Sequence, residues 1–239
     1  MKAMILAAGR GERMRPLTDT CPKPLLKVRG RPLIVWHILN LVRAGITDIV
    51  INHAHLGAML EAELGDGSRY GAKIAWSAEE TALETAGGIA NALHLLGDEP
   101  FVALSGDIYC PYFDFEQVKD VLHDTDVLGN AYPHDKRDAC WIYLTPNPFH
   151  NLKGDFALTM FSVANTGEEL WNFGNIGVYR PEMFRDIVPG TRAGLGSLIR
   201  KYADMKRVGG ELYEGDWVNV GTIAQLDALN APLSARVKA

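Results

Sequence analysis

The sequence predicts an α/β fold in which a mixed, mostly parallel sheet is flanked by helices. Three observations carry this expectation. A short apolar run, Ala3 to Ala8, leads straight into Gly9-Arg10-Gly11 and reads as the first strand of a buried sheet. Segments of strand length then alternate with helical ones, which implies right-handed βαβ units. The 239 residues are enough for one large domain with a substantial core.

After the glycine loop, Pro32 is expected as the first helical residue of a buried helix, Leu33 to Ala44, stopped by Gly45. Asp48 to Asn52 is a strand, Leu56 to Leu64 a helix ending at Gly65, and Lys73 to Trp76 the next strand. Ala86 to Leu96 is a helix, and Pro100 to Leu104 is a continuous apolar strand ending at Ser105-Gly106-Asp107. The second half is less regular. It offers a helix at Asp114 to Leu122, strands at Val127 to Ala131 and Trp141 to Leu144, and a Pro/Asn/Gly-rich loop from Thr145 to Asp155. Phe173 to Tyr179 is strand-like, Pro181 opens a short helix, Glu211 to Val220 ends in strand, and Thr222 to Asn230 is helical. One domain, 1–239, is expected, with a transition between halves near residues 110 to 140.

The net charge of −5 argues against a general nucleic-acid or membrane surface. The N-terminal apolar stretch is too short for a signal peptide or a membrane span. Cys21, Cys110 and Cys140 have no C-x-x-C spacing, which suits a reducing cytoplasm and gives neither a disulfide frame nor a zinc site.

The glycine loop carries the chemistry. Gly9 and Gly11 let the backbone turn tightly and approach a ligand, and successive N–H groups in such a turn form an anion-binding concavity. Arg10, Arg13, Arg15 and Lys23 add positive charge around it. Met14 and Pro16 break the dinucleotide pattern G-x-G-x-x-G, and no Walker A string occurs here. An ordinary glycine-rich connection with solvated arginines competes. In parallel sheets ligands lie beyond the carboxyl ends of the strands, so this loop and Asp107 share one edge.

Leu6-Ala7-Ala8-Gly9-Arg10-Gly11-Glu12-Arg13-Met14-Arg15-Pro16-Leu17-Thr18, followed by Pro22-Lys23-Pro24-Leu25-Leu26-Lys27-Val28-Arg29-Gly30-Arg31-Pro32-Leu33-Ile34, resembles the signature of sugar-phosphate nucleotidylyltransferases. The rest of the chain follows that family's order more loosely after Cys140. The resemblance implies a Rossmann-like sheet of the nucleotide-diphospho-sugar transferase type, without a C-terminal β-helix. Its first half, about 1–110, would bind nucleotide and its second, about 111–239, the sugar phosphate.

The implied reaction is attack of a sugar-1-phosphate oxygen on the α-phosphorus of a nucleoside triphosphate, releasing pyrophosphate. Both reactants are anionic, so cationic clamps and a divalent metal matter more than a proton-transfer base. By resemblance Arg13 and Lys23 are the catalytic cations, with Arg13 on the β/γ-phosphates and Lys23 bridging the two reacting phosphates. Backbone amides of Ala8, Gly9 and Gly11 would contact phosphates and base. Asp107 would coordinate Mg²⁺, a metal that suits hard oxygen ligands.

The family's second metal ligand lies in W-x-D-x-G-T. Here the stretch is Trp217-Val218-Asn219-Val220-Gly221-Thr222, so Asn219 offers a neutral carbonyl where a carboxylate is expected. The loop Glu79 to Gly88 resembles the base-reading segment, with Glu80 and Gly87 as candidates. A carboxylate there can accept an N–H from uracil, thymine or guanine, so it does not fix the base. A turn capping the next helix fits the same residues. Asn175 and Gly177 match the N-x-G strand that lines the sugar pocket.

No Glu-Lys-Pro triplet lies between Thr159 and Gly174, so the usual glucose-1-phosphate contacts are not expected, and the Thr145 to Asp155 loop could shape the pocket instead. Within the family, the compact chain, the Glu80 loop and the missing triplet look most like members that use UTP and N-acetylmuramate 1-phosphate in cell-wall recycling, and the resemblance implies that pair. Mannose- or heptose-1-phosphate guanylyltransferases and a non-catalytic nucleotide-sugar sensor are the alternatives. Oligomeric state is left open. His53 and His55 read as turn residues, the five tryptophans as mostly core, and Asp124 and Asp126 as a solvated turn pair.

Overall fold

The computed structural model describes residues 1–122 and 138–232. Strand β1 (Ala3–Leu6) runs into short helical turns, among them α1 (Leu17–Thr20), and then the paired two-residue strands β2 (Lys27–Val28) and β3 (Arg31–Pro32). Helix α2 (Leu33–Arg43), β4 (Asp48–His53), α3 (Gly57–Leu64), β5 (Lys73–Ala78), α4 (Glu84–Leu96) and β6 (Phe101–Ser105) alternate as expected, and β7 (Ile108–Tyr109) follows at once. From residue 138 onward come β8 (Cys140–Thr145), the hairpin strands β9 (Ala157–Thr159) and β10 (Ser162–Ala164), and β11 (Asn172–Tyr179). Helix α5 (Leu195–Asp204), β12 (Val208–Leu212), β13 (Val218–Asn219) and α6 (Ile223–Asn230) complete the order.

One nine-stranded sheet runs β5-β4-β1-β6-β11-β8-β12-β10-β9. Strands β5, β4, β1 and β6 are parallel, β11 is antiparallel to both neighbours, and β8 and β12 are parallel again. Only β11 and β10 run against the other seven strands, so a mixed sheet of mostly parallel strand direction holds. The same sheet passes through both halves of the chain, the junction being the β6–β11 pair.

Alternation along β1 explains the two-sided core. Ala3 and Ile5 pack with Ile34, Ile38 and Leu41 of α2 and Leu60 of α3, whereas Met4 packs with Ile89 of α4 and Ile199 of α5 on the opposite face. Successive side chains of a strand point to opposite faces, so a strand buried on both reads as the unbroken apolar run seen at Ala3 to Leu6. Register then builds the functional edge. Leu6 stands opposite Asn52 of β4 and Ser105 of β6, and the Gly106 N–H donates to the Leu6 carbonyl at 2.8 Å. The glycine loop, Asn52 and Asp107 thus leave the sheet side by side.

Some expectations need correction. Pro32 does not open α2; it is extended (φ −52, ψ 140) because it belongs to β3, and the helix begins at Leu33. No helix fills Asp114 to Leu122, only a single turn at Gln117–Lys119. There Asp114 Oδ1 accepts the Glu116 N–H at 2.9 Å, a local bond that competes with a helix. Phe113 and Phe115, two residues apart, are both buried with their rings 4.7 Å apart, a spacing no helix face provides. Helix α5 and the β9–β10 hairpin are elements the sequence reading omitted. The Val127 to Ala131 strand and the Asp124/Asp126 pair lie outside the described residues. Among those described, no helix is long and apolar enough to cross a membrane.

Candidate active site

The glycine loop is shaped by what a side chain would strike. Gly11 has φ +70, and a Cβ there would lie 2.9 Å from Thr18 Cγ2 and 3.3 Å from Lys23 Cβ, so only glycine fits. The Thr18 hydroxyl donates to the Gly11 carbonyl at 3.0 Å and locks the turn. At Gly9 a Cβ would meet nothing within 4 Å. Gly9 faces open space, and it lines a cavity of about 210 Å³ with Leu6, Ala8, Asn52, Thr85 and Asp107.

Of the four basic residues in this region, two are spent on local pairs. Arg10 pairs with Glu12 at 2.8 Å, and Arg15 with Asp19 at 2.8 Å. These pairs are exposed and contribute little to stability. Lys23 is different: it is 7% exposed, sits on a short turn between Pro22 and Pro24, and donates from Nζ to Asp107 Oδ2 at 2.6 Å. Arg13 is exposed and makes no ion pair among the described residues. Its guanidinium lies against Gly221, where an added Cβ would be 2.9 Å from Nη2.

Strand pairing brings position 219 to the same place. Asn219 stands opposite Ile108 in the β13–β7 ribbon, and the Val220 N–H donates to the Asp107 carbonyl at 2.9 Å. Asn219 Oδ1 is buried with no hydrogen-bond partner. A buried carbonyl without a donor is costly unless something else binds it. A carboxylate at 107 and an unsatisfied amide oxygen at 219 form a hard-oxygen pair that suits a cation retaining waters and taking further ligands from phosphates. Among the described residues no cluster of three or more His, Cys, Asp or Glu is set to hold a metal, so such a cation would lean on its substrate for most ligands.

A buried network backs the cavity. Asn52 Oδ1 accepts the Ala7 N–H at 2.8 Å, and its Nδ2 donates to Glu79 Oε1 at 2.7 Å. Glu79 Oε2 accepts the Leu83 N–H at 2.9 Å. The glycine loop and the Glu79 to Gly88 loop are thereby tied together. Sequence reasoning missed Asn52, Glu79 and Thr85. It chose Glu80, which is exposed and does not line the cavity.

Gly87 is not at the cavity wall either. A Cβ there would come 2.3 Å from the Thr191 carbonyl, and its N–H donates to Ala193 O at 3.0 Å. Backbone cannot yield as a flexible side chain would. Gly87→Ala is therefore expected to destabilise by about 1–3 kcal/mol, whereas Gly9→Ala should stay within about 0.5 kcal/mol. Urea unfolding of the two variants checks the contrast.

Thr85 also lines a second cavity, of about 300 Å³, with Asp155, Asn172, Asn175 and Arg200. Asn175 has φ +57 and sits in the irregular stretch of β11 between Phe173 and Ile176. The Trp217 Nε1–H donates to the Gly174 carbonyl at 2.8 Å, tying this stretch to the Asn219 strand. Gly177 packs instead, since a Cβ would lie 2.6 Å from Tyr179 Oη and 2.9 Å from the Trp141 carbonyl. The Thr145 to Asp155 segment is a loop whose last residue reaches the wall. There Asp155 Oδ2 accepts the Phe173 N–H at 2.9 Å and Asn151 Nδ2 at 3.0 Å.

The other titratable groups support rather than react. His37 lies buried below Ile108 with Nε2 2.9 Å from its carbonyl, and burial pushes its pKa down to about 4. It is a neutral donor that fixes the Asp107 strand end. His53 Nε2 lies 2.6 Å from Glu61 Oε1, and His55 Nε2 lies 3.0 Å from the Thr18 carbonyl. Burial pushes the Cys110 and Cys140 thiols up, so neither is a nucleophile.

Comparison with known proteins gives a consistent result. Residues 2–132 match the nucleotidyl transferase family model. An N-acetylmuramate alpha-1-phosphate uridylyltransferase from Neisseria meningitidis serogroup B is 48% identical over 236 residues, 97% of each chain. A mannose-1-phosphate guanylyltransferase catalytic subunit beta from Danio rerio is 40% identical over 115 residues, which cover 47% of this chain and 32% of that one. A Bacillus anthracis protein crystallised in complex with a sucrose has a TM-score of 0.80 at 20% identity, covering 96% of this chain and 94% of its own.

Proposed function

The chain belongs to the nucleotidyl transferase family, and from that premise we propose that it joins UTP to N-acetylmuramate 1-phosphate, giving UDP-N-acetylmuramate and pyrophosphate with Mg²⁺ bound. The observation that carries the reading is the meeting of Lys23, Asp107 and the unsatisfied Asn219 Oδ1 beside the glycine loop. Uridylyl rather than guanylyl transfer is favoured because the uridylyltransferase match spans 97% of the chain and the guanylyltransferase match 47%.

A phosphate oxygen of the sugar attacks the α-phosphorus of UTP. The bond from that phosphorus to the oxygen bridging to the β-phosphate breaks, and pyrophosphate leaves with the electron pair. No proton need move at the reacting atoms, so the protein's work is to hold anions in line and offset their charge. Lys23 exchanges its contact with Asp107 for the two reacting phosphates. Arg13, free of ion pairs among the described residues, supports the β/γ-phosphates as they leave, and amides of Ala8, Gly9 and Gly11 hold the nucleotide. When bound by Asp107 and Asn219, Mg²⁺ supplies charge neutralisation on the phosphate oxygens.

Residues to about 110 form the nucleotide half, and the later ones, through Asn175 and the second cavity, the sugar half. Glu80 and Gly87 bear on the base through their loop, Glu80 as its exposed carboxylate and Gly87 by seating α4. Gly177 supports Asn175 by letting β11 pack closely. The cysteines, none in a disulfide among the described residues, support a cytoplasmic setting, where such a product would feed peptidoglycan recycling.

Pyrophosphate release measured over a matrix of nucleoside triphosphates and sugar-1-phosphates tests the reading. Release is expected with UTP and N-acetylmuramate 1-phosphate. A better guanosine triphosphate and mannose- or heptose-1-phosphate pair would replace the reading, and no release with any pair would leave a nucleotide-sugar sensor. Asn219→Asp restores a charged oxygen and is expected to lower the Mg²⁺ concentration for half-maximal rate about tenfold. A titration in which that variant needs more Mg²⁺, or loses activity, contradicts the role of position 219.

A further inference from the structure

The second cavity contains a cation that the proposed roles leave unused. Arg200 projects from α5 next to Ile199, which is fully buried in the core, so the helix that carries it is firmly seated. Its guanidinium lies over the Phe156 ring, 4.6 Å from the centroid, and Phe156 is 2% exposed. A guanidinium resting on a fixed ring loses less freedom when it binds.

Arg200 has no carboxylate partner among the described residues. The nearby Asp204 takes Asn165 Nδ2 at 2.7 Å instead, and the one polar contact of the guanidinium among the described residues is a long 3.5 Å approach to Asn165 Oδ1. Arg69, Arg185, Arg192 and Arg207, by contrast, all face carboxylates within 3.1 Å.

The opposite wall is already satisfied. Asp155 Oδ2 is occupied by Phe173 and Asn151, and Asn172 joins Asn151 to Thr145. That side presents a carboxylate edge that attracts hydroxyl or amide donors and repels anions. The cavity is therefore polarised, with an anion seat at the Arg200 end and a donor seat at the Asp155 end.

We propose that Arg200 receives the carboxylate of the acceptor sugar and sets acceptor specificity. N-acetylmuramate differs from N-acetylglucosamine by a lactyl ether whose carboxylate is the only negative charge away from the phosphate. This assignment rests on the reading of the acceptor as N-acetylmuramate 1-phosphate.

The test measures dissociation constants by calorimetry for N-acetylmuramate 1-phosphate and N-acetylglucosamine 1-phosphate, with KM and kcat for turnover, in wild type, Arg200→Gln and Arg200→Lys. Arg200→Gln keeps a polar stem over Phe156. It is expected to weaken N-acetylmuramate 1-phosphate about tenfold or more while leaving N-acetylglucosamine 1-phosphate, the KM for UTP and kcat within twofold. Arg200→Lys should recover part of the loss. Equal weakening of both sugars, or no change in either, overturns the assignment and leaves the uridylyl-transfer reading standing. Wild-type protein that neither binds nor uses N-acetylmuramate 1-phosphate overturns both.

Discussion

Replacing Lys23 with methionine is expected to lower kcat about a thousandfold in a protein that still folds. Methionine keeps most of the buried stem volume in the slot beside Gly11, so packing changes little. What disappears is, among the described residues, the only cation in contact with Asp107 at the strand edge, 2.6 Å away. In the proposed reaction that ammonium faces two phosphates that repel each other, and no other described cation stands at their meeting point. Stability should fall modestly, because Asp107 is about a third exposed at 34% and can be hydrated once unpaired. Single-turnover rates with saturating UTP, alongside a urea titration, separate the two effects. A tenfold loss or less in the single-turnover rate would mean that Lys23 is structural.

Arg13→Met should cost about a hundredfold in kcat/KM for UTP, and the loss should appear equally in the reverse reaction as weaker use of pyrophosphate. Arg13 is exposed and free of ion pairs among the described residues, so its removal strands no buried charge there and the fold is not in question. Its neighbour in sequence, Arg10, is tied to Glu12, and Arg10→Met is the matched control, expected to change the rate no more than about threefold. Equal losses in the two variants would show that the loop supplies only diffuse positive charge.

Much of this was legible in the residues, for identifiable reasons. Strands β1, β4, β5 and β6 and helices α2, α3 and α4 carry their own period, with stops such as Gly45 at φ +71 and Gly97 at φ +89, whereas the two-residue strands β2 and β3 are too short to show one. Gly11 was legible from its local backbone demand, at φ +70, whereas Lys23 and Asp107 were singled out through the family motif, since a lone aspartate at a strand end is more often a cap or turn residue. Helix α5 was hidden. Its Leu195, Leu198, Ile199 and Tyr202 spacing is helical, but Gly190, Gly194 and Gly196 around its start read as loop.

Which of two adjacent carboxylates faces inward depends on how the chain leaves β5, and that set Glu79, not Glu80, against Asn52. A glycine in a motif also does not declare its purpose. Gly9 faces open space, whereas Gly87 and Gly177 make room for backbone. Arg200 belongs to no motif and became visible only when folding brought α5 beside the 155–175 segment.

In the proposed reaction a sugar phosphate displaces pyrophosphate at the α-phosphorus of UTP. Phosphorus NMR of the products from UTP, N-acetylmuramate 1-phosphate and Mg²⁺ reads it directly. A pair of signals from an asymmetric diphosphate diester is expected together with an equal amount of pyrophosphate, both absent with Lys23→Met. Orthophosphate with UDP, or a sugar phosphate left unchanged by the wild-type protein, would contradict it.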